Sequence, residues 1–386
     1  MLIGSLATVC GFLLWHSQLD AYEEGSVRLQ SLLAAIEDNY IGDMDLDAVY
    51  DAALAGAVSG LDDRWSYYMT AEEYASYQDY TANQYKGIGV TIVKDDETGG
   101  FSIVSVSADS PAAEAGLEAG DIILAVDGTD VTTGGTAELK TLISADYESE
   151  ALITVLRPDG ATEDVSVLCR DIASVPVSYE MLDGSVGYVR IENFESGAAS
   201  AAKEAVNDLL AQGALAFVLD VRDNPGGYVS EMVELLDLFL PEGDVFVRVD
   251  KDGTEQVETS DAYCLDYPLA VLINENSISA AEFFAAALDE YEVAVTVGQP
   301  TTGKSRSQIT IELADGGALH ISRYRYYTPN RVDLAETGGL VPDVSVELPE
   351  DLEQSYLSGL LAPADDAQVQ TAADLLRSAL QTGNAA

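Results

Sequence analysis

Imidazole, thiol and positive charge are all scarce in this 386-residue chain. Its two histidines are His16 and His320, and its three cysteines are Cys10, Cys169 and Cys264. No two cysteines form a CxxC pair, which excludes the usual structural zinc site, and no metal or other cofactor is expected. Cys10 lies in an apolar N-terminal run, so at most one disulfide, Cys169 to Cys264, is conceivable. A Ser-His-Asp triad would have to use His320, because His16 adjoins that run; the chemistry is therefore expected to proceed without imidazole.

Lys and Arg total 18 against 67 Asp and Glu, a net charge of −49. Such a surface repels phosphate backbones and anionic lipid headgroups, which excludes a nucleic-acid partner. With 47% apolar residues the chain can still bury a core, so it is not a disordered acidic tail. The acidity reads either as a solvated, soluble surface or as a preference for cationic substrates.

Residues 1–15 carry no charged side chain. The run is short against the roughly 20 residues of a membrane span, and no basic segment precedes it. It reads as the remnant of a signal-anchor, with a buried helix as the alternative. Val9 before Cys10 argues against a lipoprotein cleavage site. An anchor there puts the rest of the chain outside the cytoplasm.

Residues 27–80 read as helices: Leu29, Leu32, Leu33 and Ile36 share a helical face, as do Leu46, Val49, Leu54 and Val58. From Gly87 to about Arg170, short β-type runs at 88–93, 101–106, 122–126, 153–156 and 165–168 are separated by Gly and Asp turns, with small helices at 111–115 and 137–143. Residues 186–349 then alternate strand and helix, which predicts parallel strands with helical crossovers and a site at their C-terminal ends. Three further β-type runs follow at 307–313, 318–322 and 324–327, and an amphipathic helix closes the tail at 363–381. The fold class is thus α/β and multidomain, with a helical N-terminal region and a small β-rich unit.

Four segments carry possible chemistry. Asp220-Val-Arg-Asp-Asn-Pro-Gly-Gly227 follows an apolar strand and opens a helix; its glycines leave backbone N–H groups uncovered for an oxyanion, or simply make a turn. Asn274-Glu-Asn-Ser-Ile-Ser-Ala-Ala-Glu282 puts Ser279 at a helix mouth. There it is either an N-cap boxed with Glu282 or a nucleophile aided by the Ala280 N–H. Gly298-Gln-Pro-Thr-Thr-Gly-Lys304-Ser-Arg-Ser-Gln308 carries one of the chain's few lysines. Lys304 is either a surface cation or a general base; the second role requires desolvation, since an ordinary lysine with pKa near 10.4 is protonated at neutral pH. Gln308 could hold the amine by a neutral hydrogen bond. Finally, Tyr85-Lys-Gly-Ile-Gly-Val90 and the run Ser110–Gly128, in one small β unit, suit a groove that grips a peptide carboxylate while a strand edge pairs with its backbone.

Together these segments resemble the carboxy-terminal processing peptidases, serine–lysine endopeptidases with a PDZ domain. The resemblance spans about residues 27–349 and includes Leu61-Asp-Asp-Arg-Trp-Ser-Tyr-Tyr68, Tyr327-Thr-Pro329 and Gly339-Leu-Val-Pro-Asp343. It implies a PDZ domain at 81–170 and a protease core of crotonase/Clp-like type at 171–350; the residues themselves add a signal-anchor remnant at 1–26, a helical region at 27–80 and a helical tail at 351–386. It further implies Ser279 as nucleophile, Lys304 as general base, and Gln308 orienting the lysine. Gly226 and Ala280 would form the oxyanion hole, with Gly227 possible in place of Gly226. Gly87, Ile88, Gly89 and Val90 would bind substrate. Ser277 competes with Ser279, which is preferred for its place at the helix start and its spacing to Lys304. Ile278, Asn276, Ala281 and Ser305 depart from the small residues, glycines and serine common there.

The implied activity is cleavage of extracytoplasmic proteins with accessible C-termini by a membrane-anchored or secreted enzyme, of a kind used in signal transduction. Homo-oligomerisation is left open. A catalytically inactive PDZ-bearing scaffold and a crotonase-like acyl-CoA enzyme are the competing readings.

Overall fold

The computed structural model describes residues 22–145, 148–183, 185–357 and 359–383. The apolar run at 1–15 lies outside them. None of the described helices is long and apolar enough to cross a membrane.

The centre of the molecule is a six-stranded sheet in the order Val177–Leu182, Val186–Ile191, Ala216–Asp220, Leu269–Ile273, Ala294–Gly298, Val344–Ser345. The first pair is antiparallel and the remaining pairs are parallel. Every residue of Ala216–Asp220 and Leu269–Ile273 is buried, as expected where both faces of a parallel sheet are covered. Phe217, Leu219, Val271 and Ile273 pack beneath helices Ala198–Gln212, Val229–Phe239 and Ala280–Glu290. The alternate residues Ala216, Val218, Ala270 and Leu272 meet Val369, Ala372, Ala373 and Leu376 of the closing helix Ala367–Gly383. The tail therefore supplies the second covering layer, which its amphipathic spacing left without a partner.

A second sheet joins parts of the chain distant in sequence. Its long strand Ala318–Tyr327 pairs with Tyr67–Met69, Arg306–Glu312 and Gly243–Val249, and the last of these pairs with Glu255–Ser260. Sequence patterning divides 318–327 into two runs, but it is one strand. The patterning also misses Tyr67–Met69, Val177–Leu182 and the hairpin 243–260. Residues 27–80 do hold helices, at 22–39, Leu46–Ser59 and Ala71–Thr81.

The β-rich unit between residues 90 and 168 contains a sheet in the order Val90–Lys94, Phe101–Val106, Ile122–Val126, Glu150–Leu156, Thr162–Leu168, with helices Pro111–Glu114 and Thr136–Ala145. Its core of Phe101, Ile103, Ile123, Leu139, Ile153 and Val167 is separate from that of the central sheet. Cys169 and Cys264 are not disulfide-bonded.

The tail is anchored by charge as well as packing. Arg222 is almost wholly buried and forms two bonds to Asp220, at 2.9 and 2.6 Å, while reaching Asp366 at 2.8 Å and Gln368 at 2.6 Å. Burial pushes the Asp220 carboxyl up, but the Arg222 guanidinium outweighs it and holds the group below the usual range. Removing one member of such a pair strands the other in a low-dielectric interior. Arg222→Ala should therefore lower the unfolding free energy by about 3–5 kcal/mol, read by urea denaturation; an unchanged midpoint would show that the network contributes nothing net.

Candidate active site

Strand Leu269–Ile273 ends in a turn that delivers Ser279 to the first residue before helix Ala280–Glu290. Ser279 has φ 58° and ψ −119°, a backbone region that costs a non-glycine residue about 1–3 kcal/mol. Neighbouring loops hold it there. Asp223 accepts hydrogen bonds from Asn274 and Asn276 side chains, each at 2.9 Å, and Asn224 O accepts the Ile278 N–H at 2.9 Å. The competing serine is occupied elsewhere: Ser277 is fully buried and donates to Val221 O at 2.8 Å.

The glycine pair lies against this turn. A Cβ on Gly226 would fall 3.0 Å from Ser279 Cβ and 3.1 Å from Ala280 N, and one on Gly227 would fall 2.3 Å from the Phe194 carbonyl carbon. Both have positive φ, 100° and 143°, so glycine is required twice over. The Gly226 N–H donates to Asn224 Oδ1 at 2.8 Å. It is thus already engaged. The N–H groups of Gly227 and Ala280 meet no acceptor among the described residues, and Gly227 lines the cavity that Ser279 opens into.

The lysine loop is fastened to the serine helix through one carboxylate. Glu282, fully buried, accepts from Ser279 N at 2.8 Å, Lys304 N at 2.9 Å, Thr301 Oγ1 at 2.6 Å and Gly303 N at 2.5 Å. It completes one half of the expected capping box and also reaches across to a second loop. The Lys304 side chain is half-buried. Its amine lies 4.5 Å from the centre of the Trp65 ring, with no hydrogen bond or ion pair among the described residues. Burial lowers its pKa, Glu282 opposes the shift and Arg64 adds to it. The Trp65 face favours the charged form. No hydrogen bond joins Lys304 to Ser279 or to Gln308; Gln308 Nε2 donates instead to Arg306 O at 3.1 Å and Ser322 Oγ at 3.0 Å.

Ser279, Lys304 and Gln308, drawn from three separate segments, nevertheless line one cavity of about 780 Å³. Its walls include Tyr77, Tyr80, Tyr228, Glu195 and His320. The His320 ring stacks on Tyr67 with centroids 4.7 Å apart, and its Nδ1 lies 2.9 Å from Thr310 Oγ1. Burial and the neighbouring Lys304 push its pKa down to about 4, so the imidazole is neutral at pH 7. Burial, reinforced by Glu231, pushes Glu195 up to about 7. The sequence marks His320 only as the one histidine a triad could use and carries no sign of Glu195, because each arrives from an element with no motif of its own. Trp65 falls within the segment Leu61–Tyr68, and the sequence marks Glu282 only as a capping residue. Among the described residues, no three His, Cys, Asp or Glu side chains converge to hold a metal ion.

A second groove, of about 440 Å³, runs between Val90–Lys94 and helix Thr136–Ala145 of the β-rich unit. Gly87, Ile88, Gly89 and Val90 all line it. Gly89 has φ 84°, and a Cβ there would fall 2.2 Å from Ser110 Cβ. The N–H groups of Ile88 and Gly89 meet no acceptor among the described residues, which leaves them available to a carboxylate.

A model of peptidase family S41 matches residues 185–346, and a PDZ-domain model matches residues 102–157. A carboxyl-terminal-processing protease of Synechocystis sp. is 32% identical over 330 residues, covering 84% of this chain and 76% of the relative. This chain belongs to the carboxyl-terminal-processing proteases of family S41. The carboxy-terminal processing protease CtpA of Bacillus subtilis is 30% identical, covering 86% of this chain and 72% of that protein. A solved putative S41 protease from Bacteroides fragilis shares the fold, with a TM-score of 0.58 at 20% identity over 88% of this chain and 91% of that one. As a member of this family the protein is a serine-type endopeptidase with a PDZ domain, which sets aside the inactive-scaffold and acyl-CoA readings.

In this carboxyl-terminal-processing protease, Glu282→Gln keeps the shape of the clamp but replaces a carboxylate oxygen with an amide donor facing N–H groups. Each stranded buried donor costs about 1–3 kcal/mol. The variant should melt measurably lower and lose peptidase activity at least tenfold, since about 1.4 kcal/mol of barrier is a factor of ten. Retention of both melting point and activity would show that the clamp is dispensable.

Proposed function

We propose that Ser279 is the nucleophile and Lys304 the general base of an endopeptidase acting on proteins outside the cytoplasm. The observation that carries this is the shared cavity, in which a half-buried lysine with lowered pKa accompanies a serine on a strained helix-entry turn. Neutral Lys304 leaves the Trp65 face and takes the Ser279 hydroxyl proton as the oxygen attacks the scissile carbonyl. The carbonyl carbon becomes tetrahedral and its oxygen takes up the negative charge. Gly227 and Ala280 N–H groups, both without acceptors, receive that oxyanion, each worth about 3 kcal/mol by analogy with measured oxyanion donors. Gly227 takes the place first given to Gly226, whose N–H Asn224 already uses. Lysine then protonates the leaving amine, and water activated by the neutral lysine releases the acyl-enzyme. With its Nε2 engaged, Gln308 offers Oε1 to orient the amine.

The groove at Gly87–Val90 is assigned the free C-terminus of the substrate, with the PDZ domain at 81–170, the protease core at 171–350, a helical region at 27–80 and the helical tail at 351–386. Residues 1–26, which open with the uncharged run at 1–15, are assigned to the remnant of a membrane signal-anchor. Cleavage there of a membrane-associated regulator would be the link to signal transduction, and self-association into a homo-oligomer is part of the same reading.

Ser279→Ala and Lys304→Ala should each abolish cleavage of a casein-like unfolded substrate; cleavage surviving both would sink the assignment. The pH profile supplies a second check. A base must be unprotonated, and burial lowers the pKa of Lys304, so kcat/KM should rise with pH and reach half its plateau below the usual lysine value of about 10.4. A flat profile from about pH 5 to 9 is incompatible with a lysine base. Amidation of the substrate C-terminus should weaken binding to the groove by about tenfold, the loss of a charge-assisted contact of about 1.5–3 kcal/mol.

A further inference from the structure

One carboxyl in the catalytic cavity takes no part in this chemistry. Glu195 is only 6% exposed and lines the cavity together with Ser279 and Gly227. Its side chain accepts no hydrogen bond and forms no ion pair among the described residues. Its backbone is nevertheless firmly placed. The Glu195 N–H donates to Asn193 Oδ1 at 2.9 Å, Asn193 Nδ2 donates to Asn83 Oδ1 at 2.9 Å, and the preceding Phe194 exchanges 2.7 Å bonds with Gly226 O and Tyr228 N. The residue is therefore held beside the glycine pair, within the same cavity as the nucleophile.

The surroundings offer the carboxyl no relief. Glu231, the acid that acts on it electrostatically, is committed to the N–H groups of Gly197 and Ala199 at 3.2 and 2.9 Å. Among the described residues Lys304 is the only Lys or Arg lining the cavity, and its amine lies over Trp65. Tyr77 and Tyr80 line the same cavity near enough for the Glu195 charge to act on them, and aromatic rings are suited to the stem and head of a cationic side chain. The carboxyl opens onto the cavity with no protein partner, and its partial burial raises the cost of its charge. A ligand that brings the missing positive charge removes that cost on binding. The charge of −49 over the whole chain also draws cationic segments toward the surface.

We propose that Glu195 forms an acidic subsite that takes a lysine or arginine side chain of the substrate close to the scissile bond. This deepens the endopeptidase reading and rests on Ser279 as the nucleophile. The acid selects among peptides and is not itself part of proton transfer.

The test uses the full chain. Products from an unfolded protein of mixed composition are sequenced by mass spectrometry. Peptide pairs that differ only by lysine against norleucine, at each of the two positions on either side of the cleaved bond, are then compared. Lysine or arginine should be enriched at one of these positions, with kcat/KM favouring lysine over norleucine by about tenfold or more, the scale of a desolvated charge pair. Glu195→Gln should bring that ratio close to one, and Glu195→Lys should shift the preference to glutamate. Equal rates for lysine and norleucine at every position in the unaltered protein would overturn the proposal, as would a lysine preference that persists in Glu195→Gln. A Ser279→Ala control separates the two readings. Ser279-dependent cleavage without basic preference defeats the subsite alone, whereas cleavage that survives Ser279→Ala removes the ground for both.

Discussion

A single buried carboxylate holds the catalytic cavity together. Glu282 is one turn into the helix that begins at Ser279, and it accepts from the Ser279 N–H at the helix mouth and from Thr301, Gly303 and Lys304 in a loop about twenty residues further on. Two loops at neighbouring strand ends have no covalent reason to keep a fixed distance. Four donors converging on one carboxylate supply that reason, because each would be stranded in a dry interior if the clamp opened. The same carboxylate also opposes the role proposed for the lysine, since a nearby negative charge favours the ammonium. Burial prevails over it, so the amine is easier to deprotonate than one in water.

The serine is prepared by strain and by backbone donors left open. A left-handed φ at a non-glycine residue persists only when its surroundings over-determine it, and here Asp223, Asn224 and Glu282 do so from three directions. Asn224 uses the Gly226 N–H to shape the loop and leaves the next one, at Gly227, facing the cavity. Trp65 lies beneath the lysine amine as a weak competitor for its charged form. In the proposed mechanism, proton transfer requires the lysine amine to move from the ring face to the serine.

Much of this is legible in the sequence. Strands 101–106, 122–126 and 186–191 match their apolar runs to the residue, because short buried strands between Gly and Asp turns leave little freedom in placement. The three segments of the serine, the lysine and the glycine pair declare themselves by turn chemistry. The edge hairpin at 243–260 did not, since its outer strand is polar and its faces are half-exposed. Nor did the short strand at 67–69, which exists only because Ala318–Tyr327 offers it a partner.

Local identity is written along the chain: which turns need glycine, which helix begins at a serine, which strands are apolar on both faces, and that imidazole and thiol are nearly absent. These follow from steric and hydrophobic rules acting over a few residues. Only the tertiary structure decided what those pieces meet. It put the tail helix on the open face of the sheet, Trp65 under an amine more than two hundred residues away, a neutral His320 in the cavity wall, and Glu195 beside the glycine pair with no countercharge. Burial and electrostatic pairing depend on distance in space, and no local pattern along the chain encodes that distance.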